Sequence, residues 1–194
     1  AQFAAERYGV EVTGITVSKH QAEAAAARCS GLPVDIRLED YRRHSASYDR
    51  IWSIGMFEHV GVRNYRAYLR KVRELLRPDG LFLLHTIGSN TSVRSTDPWI
   101  DKYIFPNSML PSVAQIARAA ERWWVIEDWH GFGSHYDHTL LAWYRNFEAR
   151  WPEIAARYGE RFRRMWMYYL TYCEAGFEHG TIDVGLYRMR KPQA

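Results

Sequence analysis

Cysteine is scarce in this sequence: Cys29 and Cys173 are the only two among 194 residues. They are far apart and lack the short spacing of metal-ligating pairs, which argues against a disulfide scaffold and indicates a reducing compartment. The sequence also lacks the run of about 20 apolar residues that crosses a bilayer, and its opening residues show no signal-peptide pattern. We therefore expect a cytoplasmic protein whose membrane contact is at most peripheral, at the inner face of the membrane.

A strong excess of one charge is also missing, because 26 basic and 22 acidic residues leave a net charge of +4. A mild excess of this kind is more typical of a solvated surface than of an anion-binding one. The motifs of nucleic-acid-binding modules are absent, so a non-catalytic module of that class is the disfavoured alternative. Aromatic residues are abundant at 15%, which is typical of a large core, an apolar or cationic ligand pocket, or a lipid-contacting surface.

Strands and helices alternate along the chain. The alanine-rich segment after Ser18 predicts a helix capped by that serine, with Gln21 at the capping-box position. Strands are expected at 10–17, 33–41, 48–57, 81–88, 123–129 and 182–189, helices at 1–9, 19–29, 64–80, 112–121, 136–151 and 152–177, and a long loop at 89–111. This order predicts an α/β fold with a mostly parallel sheet and helices on both faces, as a single domain covering residues 1–194.

Polar side chains occur where four predicted strands end, at residues 16–18, 39–41, 58–59 and 85–86. Because parallel strands present their carboxyl ends at one edge of a sheet, we expect these groups to converge on a ligand site. Simpler roles stay open: Ser18 also suits a helix cap, and Asp40 a turn. Glu58 suits the start of a helix, and His85 a hydrogen-bonded place in the core. Metal binding is disfavoured, because these acidic and histidine residues lack a known ligand spacing.

Seven segments resemble, in order and spacing, successive motifs of the cyclopropane-fatty-acyl-phospholipid synthases. This class I S-adenosylmethionine-dependent family includes the mycolic acid cyclopropane synthases. The segments are GITVSKHQ, YDRIWSIGMFEHVG, LRPDGLFLLHTIGS, DPWIDKYIFPN, LPSVAQI, VIEDWHGFGSHYDHTLLAWYRNF and RFRRMWMYYLTYCEAGF. They cover essentially the whole chain, and FEHVG, LLHTIG and DPWIDKYIFPN are the most specific. The resemblance implies a Rossmann-like class I methyltransferase fold.

The resemblance also implies an activity: transfer of a methylene group from S-adenosylmethionine to the cis double bond of an unsaturated phospholipid acyl chain, forming a cyclopropane ring. The open alternative is a C-methyltransferase that acts on the same acyl chain and gives a methyl-branched or other product. The expected partners are acyl chains at a membrane surface and a second copy of the chain, and not nucleic acid. Residues 161–166 interleave basic and apolar side chains, which suits an anionic bilayer or a helix with one charged side.

Site residues follow from the same motif matching. In the family, the base is a bound bicarbonate ion, and its holders here are Glu58, His85, the backbone of Ile87, and Tyr136. Cys173 matches a family cysteine once suspected of catalysis, and we expect it only to line the pocket, because a buried thiol is usually inert. Aromatic side chains are expected to line an acyl tunnel or to pack in the core: Trp99, Tyr103, Phe105, Trp129, Tyr144 and Tyr168.

The S-adenosylmethionine contacts implied by the resemblance lie in three turns. The first turn binds the ribose and the second binds the adenine. Gly55 lets the methionine part of the cofactor approach the backbone closely. The residues of the first two turns are Thr16, Ser18 and Gln21 for the ribose, and Asp40 and Tyr41 for the adenine.

The start of the sequence departs from the family pattern. The family's first strand, its Gly-rich cofactor loop and a bicarbonate-binding cysteine are expected just before Ala1, and an N-terminal lipid-associated region farther upstream. The chain therefore resembles the C-terminal part of a longer enzyme. We expect unpaired strand edges with exposed apolar residues, and weak cofactor binding or low stability for the isolated chain.

Overall fold

The computed structural model describes residues 1–193, and these form two compact units. The first unit comprises Ala1–Ser47, and the second begins at Tyr48. The α/β class expected from the sequence is confirmed in the alternation of helices and strands. The expectation of one domain over residues 1–194 stays a prediction.

The first unit contains two helices and a two-stranded parallel sheet. Its elements are α1 (Gln2–Tyr8), β1 (Val12–Thr16), α2 (Lys19–Arg28) and β2 (Val34–Leu38). The sheet pairs Val12 with Val34 and continues in register to the carboxyl ends of both strands. Gly9 ends α1 in the left-handed region at φ 62°, a conformation that costs glycine little. All four elements were expected from the sequence.

The first unit buries few of its apolar side chains. The sequence predicts a buried strand at 10–17, but Val12 is the one residue of β1 that is fully buried. This part of the prediction is wrong, because β1 has a partner strand on one side only, within the described residues. Val17, just beyond the strand, is 76% exposed, and Leu38 is 58% exposed. These exposed apolar residues follow the carboxyl end of β1 and form that of β2.

The second unit is a four-stranded sheet with helices. Its elements are β3 (Tyr48–Ile54), α3 (Tyr65–Leu75), β4 (Leu76–Ser89), α4 (Pro98–Tyr103), α5 (Val113–Ala120), β5 (Val125–Gly131), α6 (Tyr136–Glu178) and β6 (Ile182–Arg190). The strand order is β3-β4-β6-β5, and β6 is antiparallel to both of its neighbours. Three of the four strands therefore run in one direction, and the sheet is mixed. β3 lies at its edge, and Ile54 at the end of β3 is 63% exposed.

Helix α3 places one apolar face on the core of the second unit. The inward positions expected from the sequence are buried: Tyr65, Tyr68, Leu69, Val72 and Leu75 in the helix and Leu76 just after it. Each fully buried side chain of this size contributes about 1.5–3 kcal/mol. The helix ends at Leu75 and not at the predicted Pro78–Gly80, because Leu76 already has extended backbone and pairs with Tyr48 of β3.

Helix α6 is broken at a different place from the one predicted. The sequence predicts a break between Trp151 and Pro152, but Pro152 lies inside the first helical part. The break is at Gly159, with φ 76° and ψ 163°, a backbone conformation that only glycine adopts at low cost. After the break the chain folds back, so the ring of Phe147 lies 6.4 Å from Phe162 and 6.5 Å from Trp166.

Candidate active site

The residues at the end of β3 line the candidate site in the second unit. Ile54 pairs with His85 of β4, and the next residue, Gly55, donates its N–H to the His85 carbonyl oxygen at 3.1 Å. Gly55 has φ 61°, and nothing lies within 4 Å of the place where a side chain would begin. The positive φ explains the glycine, and the open space beside it leaves the backbone accessible to a ligand.

Glu58 is buried, and hydrogen bonds fix both its side chain and its backbone. It lies in a short 3-10 turn, Phe57–His59, directly after β3. Its Oε1 accepts a hydrogen bond from the N–H of Ile87 at 2.7 Å, and its backbone carbonyl accepts one from the N–H of Met109, also at 2.7 Å. Among the described residues its Oε2 has no partner. A buried carboxylate oxygen without a donor is costly, so this atom is chemically able to accept a hydrogen bond from a group that enters the site.

His85 and Tyr136 are the other two side chains of the candidate site. His85 precedes Ile87 by two residues in β4, so both side chains are on the same face of the strand. Its Nδ1 is buried and has no partner in the part of the chain that the structure describes. Tyr136 begins α6 and is half-buried, and burial together with the Glu58 charge raises the pKa of its phenol. The phenol therefore keeps its proton at neutral pH and is available as a donor.

The backbone of Ile87 has a different hydrogen-bond partner from the one that the sequence predicts. The resemblance implies that its backbone binds the ion, yet its single N–H hydrogen donates to Glu58 Oε1. In this structure Ile87 therefore contributes to the site by orienting the carboxylate. Met109 was not foreseen at all, because the sequence gives no signal that a loop amide would reach back to Glu58.

An apolar cluster borders these polar groups. Tyr136, Ile87 and Cys173 pack against buried residues of α6 and β6: Leu140, Tyr169, Leu170, Phe177 and Val184. Burial raises the pKa of the Cys173 thiol to about 11, so the thiol stays protonated and a poor nucleophile at neutral pH. This environment is consistent with Cys173 as a lining residue.

Four of the six aromatic residues expected in a tunnel separate into two groups. Trp99 and Tyr144 pack against this apolar cluster. Tyr168 lies at 4.7 Å from Trp99 but is itself half exposed. Trp129 lies elsewhere, on β5, where its ring stacks on Tyr187 at 6.2 Å and is 48% exposed.

The ribose candidates of the first unit are joined in one turn. Thr16 Oγ1 donates to Gln21 Oε1 at 2.8 Å and accepts from the N–H of Ser18 at 3.1 Å. Ser18 Oγ accepts from the N–H of Gln21 and caps α2, as the sequence predicts. The Gln21 side chain is bound to Thr16, which differs from the capping box expected for it. The three polar groups are thus presented together at the carboxyl end of β1.

The adenine candidates occupy the turn after β2. Arg42 binds the Asp40 carboxylate through its backbone N–H at 2.9 Å and through Nε at 3.0 Å. These hydrogen bonds lower the pKa of Asp40 to about 2. Tyr41 is half-buried, and burial raises the pKa of its phenol. A ligand that binds Asp40 must therefore share the carboxylate with Arg42, whose role no sequence pattern indicates.

Residues 1–193 contain neither a metal-binding cluster nor a membrane-spanning helix. No group of three or more histidine, cysteine or acidic side chains is arranged to hold a metal ion there. No helix within the same residues combines the length and the apolar character needed to cross a membrane.

Several known proteins are similar to this chain. The "Cyclopropane-fatty-acyl-phospholipid synthase" of Escherichia coli K12 is 54% identical over 95% of this chain and 48% of its own length. The "Probable fatty acid methyltransferase" of Pseudomonas putida is 34% identical over 100% of this chain and 52% of its own length. The chain thus spans about half the length of the curated relatives it matches.

Solved structures and a sequence family agree with these relatives. The cyclopropane synthase MmaA2 from Mycobacterium tuberculosis superposes with a TM-score of 0.87 at 28% identity, covering 97% of this chain and 72% of that one. The mycolic acid cyclopropane synthase CmaA1, complexed with SAH and CTAB, gives 0.87 at 29% identity, with 97% and 73% covered. The class I methyltransferase fold is thereby confirmed. Since residues 1–186 match the family described as "Mycolic acid cyclopropane synthetase", the chain belongs to that family.

Proposed function

We propose that this chain carries the catalytic residues of a cyclopropane-fatty-acyl-phospholipid synthase, which transfers a methylene group from S-adenosylmethionine to a cis double bond of a phospholipid acyl chain. One observation supports this most directly. A buried carboxylate, Glu58, has one oxygen without a donor, its charge raises the pKa of the Tyr136 phenol, and Tyr136 packs against an apolar cluster. A proton-accepting site beside an apolar surface is what ring closure on an acyl chain requires.

The chemistry explains why both properties are needed. When bound, S-adenosylmethionine supplies an electrophilic methyl carbon, whose bond to sulfur breaks as the double bond forms a new bond to it. The positive charge then on the acyl chain is removed when a proton leaves that methyl group and its C–H electrons close the ring. The apolar residues around Tyr136 exclude water, which would otherwise trap the cation. The polar groups at Glu58 hold the base.

The residues fit a bicarbonate ion as that base. When bound, bicarbonate supplies the oxygen that accepts the proton, and its own hydroxyl is a hydrogen-bond donor. Glu58 Oε2 is an acceptor without a donor, Tyr136 is a protonated donor, and His85 Nδ1 donates in one of its two tautomers. The three side chains are therefore complementary to the ion.

The proposed contacts of S-adenosylmethionine are Thr16, Ser18, Gln21, Asp40 and Tyr41 in the first unit and Gly55 in the second.

A second candidate is a C-methyltransferase that gives a methyl-branched product. It is favoured by the names of relatives such as the probable fatty acid methyltransferase of Pseudomonas putida, at 34% identity, and the sphingolipid C9-methyltransferase A of Emericella nidulans, also at 34%. Both reactions begin with the same attack on the methyl carbon, and they differ in how the cation is quenched.

Lipid analysis separates the two candidates. The native gene product that contains this chain is expressed in bacteria whose phospholipids carry monounsaturated chains, and the fatty acids are analysed by gas chromatography and mass spectrometry. A synthase adds one CH2 and leaves a ring that survives mild hydrogenation of double bonds. A branched, reduced product gains CH4 and has no ring. Acyl chains identical to those of the uninduced host would contradict both candidates.

We further propose that the second unit contacts an anionic membrane surface through a basic and aromatic patch, defined here as Lys102, Tyr103, Arg161, Tyr168 and Tyr172. All five residues are exposed. Lys102 Nζ lies 5.0 Å from the centre of the Tyr103 ring, and Lys102 and Arg161 together lower the pKa of the Tyr103 phenol. The rings of Tyr168 and Tyr172 stack at 5.7 Å. Cations beside exposed aromatic rings suit the headgroup region of a bilayer.

The proposed location is accordingly cytoplasmic and peripheral, and a homodimer stays a prediction.

Neutralising the patch is expected to weaken binding to anionic vesicles. Each basic residue near an anionic surface contributes about 1 kcal/mol, so the double variant Lys102→Ala/Arg161→Ala should bind phosphatidylglycerol-containing vesicles about 30-fold more weakly in a sedimentation assay. The matched control is Arg66→Ala/Arg70→Ala, which removes two exposed charges from α3. Equal losses in the two double variants would show that only net charge matters and would refute the patch.

A further inference from the structure

Asp183, near the start of β6, binds two backbone amides through one carboxylate oxygen. Its Oδ1 accepts a hydrogen bond from the N–H of Gly133 at 2.6 Å and another from the N–H of Val184 at 2.8 Å. Gly133 is 50 positions away in the sequence and opens the 3-10 turn Gly133–His135. Hydrogen bonds to an ionised oxygen are about twice as strong as those between neutral groups. The carboxylate therefore ties this turn to β6.

The turn lies so close to Asp183 that it has no room for a side chain. A β-carbon at Gly133 would lie 2.9 Å from the Cα of Asp183, and one at Gly131 would lie 2.6 Å from its Oδ2. The φ of Gly133 is outside the left-handed region, so space and not backbone conformation requires this glycine. Between the two glycines, the N–H of Phe132 donates to the carbonyl oxygen of Val184 at 3.0 Å. Residues 131–133 therefore pack directly on β6.

The anchored turn leads directly into Tyr136. The N–H of Tyr136 donates to the carbonyl oxygen of Gly133, the residue whose own N–H donates to Asp183. Tyr136 is also the first residue of α6, and the start of that helix has no side-chain cap. Two successive hydrogen bonds thus connect the Asp183 carboxylate to the backbone of the tyrosine whose phenol is proposed to hold the base.

The same strand is paired with the part of the sheet that orients Glu58. Val184, which follows Asp183, pairs with Ile87 of β4. The N–H of Ile87 is the donor to Glu58 Oε1. β6 therefore contacts both the turn before Tyr136 and the strand that orients the carboxylate.

We propose that Asp183 is a positioning residue for Tyr136: its carboxylate fixes the turn that sets where the phenol enters the candidate site. The first N–H groups of a helix have no partners within the helix, so contacts from outside must fix its first residue. Asp183 supplies that contact through Gly133. The consequence for catalysis rests on the proposed function, whereas the anchored turn does not.

The first test is Asp183→Ala in the native gene product, with kinetics of S-adenosylmethionine-dependent lipid modification. Misplacing a reacting group by about 1 Å can cost about 100-fold, so kcat should fall about tenfold or more. KM for S-adenosylmethionine should stay within about twofold, because its proposed contacts lie mainly in the first unit. Asp183→Asn keeps an oxygen that can accept both N–H groups and should retain most of the wild-type kcat. An unchanged kcat in Asp183→Ala would overturn the positioning role.

Two further comparisons separate positioning from general damage to the fold. Asp128→Ala, which removes an exposed carboxylate from β5, is the matched control and should leave kcat unchanged. In a Tyr136→Phe background, Asp183→Ala should cost much less, because the hydroxyl that it positions is already gone. Equal fold losses of kcat in both backgrounds would refute the proposal. If Asp183→Ala does not fold, Gly133→Ala displaces the turn by crowding, and its loss of kcat should depend on Tyr136 in the same way.

The second test needs no activity and therefore separates this inference from the proposed function. Hydrogen exchange of the backbone amides in residues 131–137 is followed by mass spectrometry. Loss of a hydrogen bond to a charged acceptor should speed exchange about tenfold or more in Asp183→Ala, and much less in Asp183→Asn. Exchange equal to that of the wild type would show that the carboxylate does not hold the turn and would refute the proposal. Faster exchange in a gene product that modifies no lipid would contradict the proposed function and leave the anchored turn standing.

Discussion

Glu58→Gln is expected to lower the rate of ring formation at least a hundredfold, while the protein stays folded. The glutamine keeps a carbonyl oxygen for the N–H of Ile87, so the buried turn retains its 2.7 Å hydrogen bond. What changes is the second position: Oε2, an acceptor without a donor, becomes an NH2 group that is itself a donor. Groups that take part in proton transfer typically contribute about 10²–10⁴-fold to a rate, and the expected loss lies in this range.

The measurement is the initial rate of cyclopropane formation in phospholipid vesicles at saturating S-adenosylmethionine. Glu74→Gln, which neutralises an exposed carboxylate on α3, is the matched control and should retain the wild-type rate. Circular dichroism of both variants verifies the fold. A Glu58→Gln variant within about twofold of the wild type would remove Glu58 from the mechanism and leave the buried, half-satisfied carboxylate without a function.

Phe82→Ala is expected to have the largest effect on stability, about 3–5 kcal/mol in the free energy of unfolding. Phe82 is 0% exposed in the middle of β4, where it pairs with Ile51 of β3 and Met189 of β6. Its ring lies 5.5 Å from Trp124 and 6.4 Å from Tyr68. Neighbours on both flanking strands and on α3 cannot all move inward, so the deletion leaves a cavity whose cost adds to the lost burial.

Thermal unfolding followed by circular dichroism measures this effect, and a fall in Tm of roughly 10 °C is expected for a unit of this size. Phe3→Ala provides the contrast, because Phe3 is 68% exposed on α1 and its removal should change stability by about 0.5 kcal/mol or less. A loss below about 1 kcal/mol for Phe82→Ala would mean that β4 is not central to the core.

The order of the elements could be predicted from the sequence because local patterns carry it. The period of the apolar residues in α3, the serine cap of α2 and the glycine that ends α1 act within a few residues. A complete capping box forms at Ser112 and Gln115, whereas the one expected at Ser18 and Gln21 does not form. Two wrong predictions, the end of α3 and the break in α6, concern boundaries where several residues compete to interrupt a helix. The helix continues through Pro152 and is interrupted at Gly159. The positive φ of Gly159 reverses the chain, so Phe162 packs on Phe147.

By itself, the sequence determined the family, the order of helices and strands, and the residue types at the strand ends, since motifs and periodicity are local properties. The tertiary structure decided how those residues are used. Glu58 and Ile87 are 29 positions apart, and only the pairing of β3 with β4 brings the carboxylate to that amide. As a result, the N–H of Ile87, which was expected to bind an ion, is bonded to Glu58 Oε1. The other oxygen, Oε2, remains buried without a donor among the described residues. A hydrogen bond between distant residues depends on the register of strands, and no local pattern encodes it.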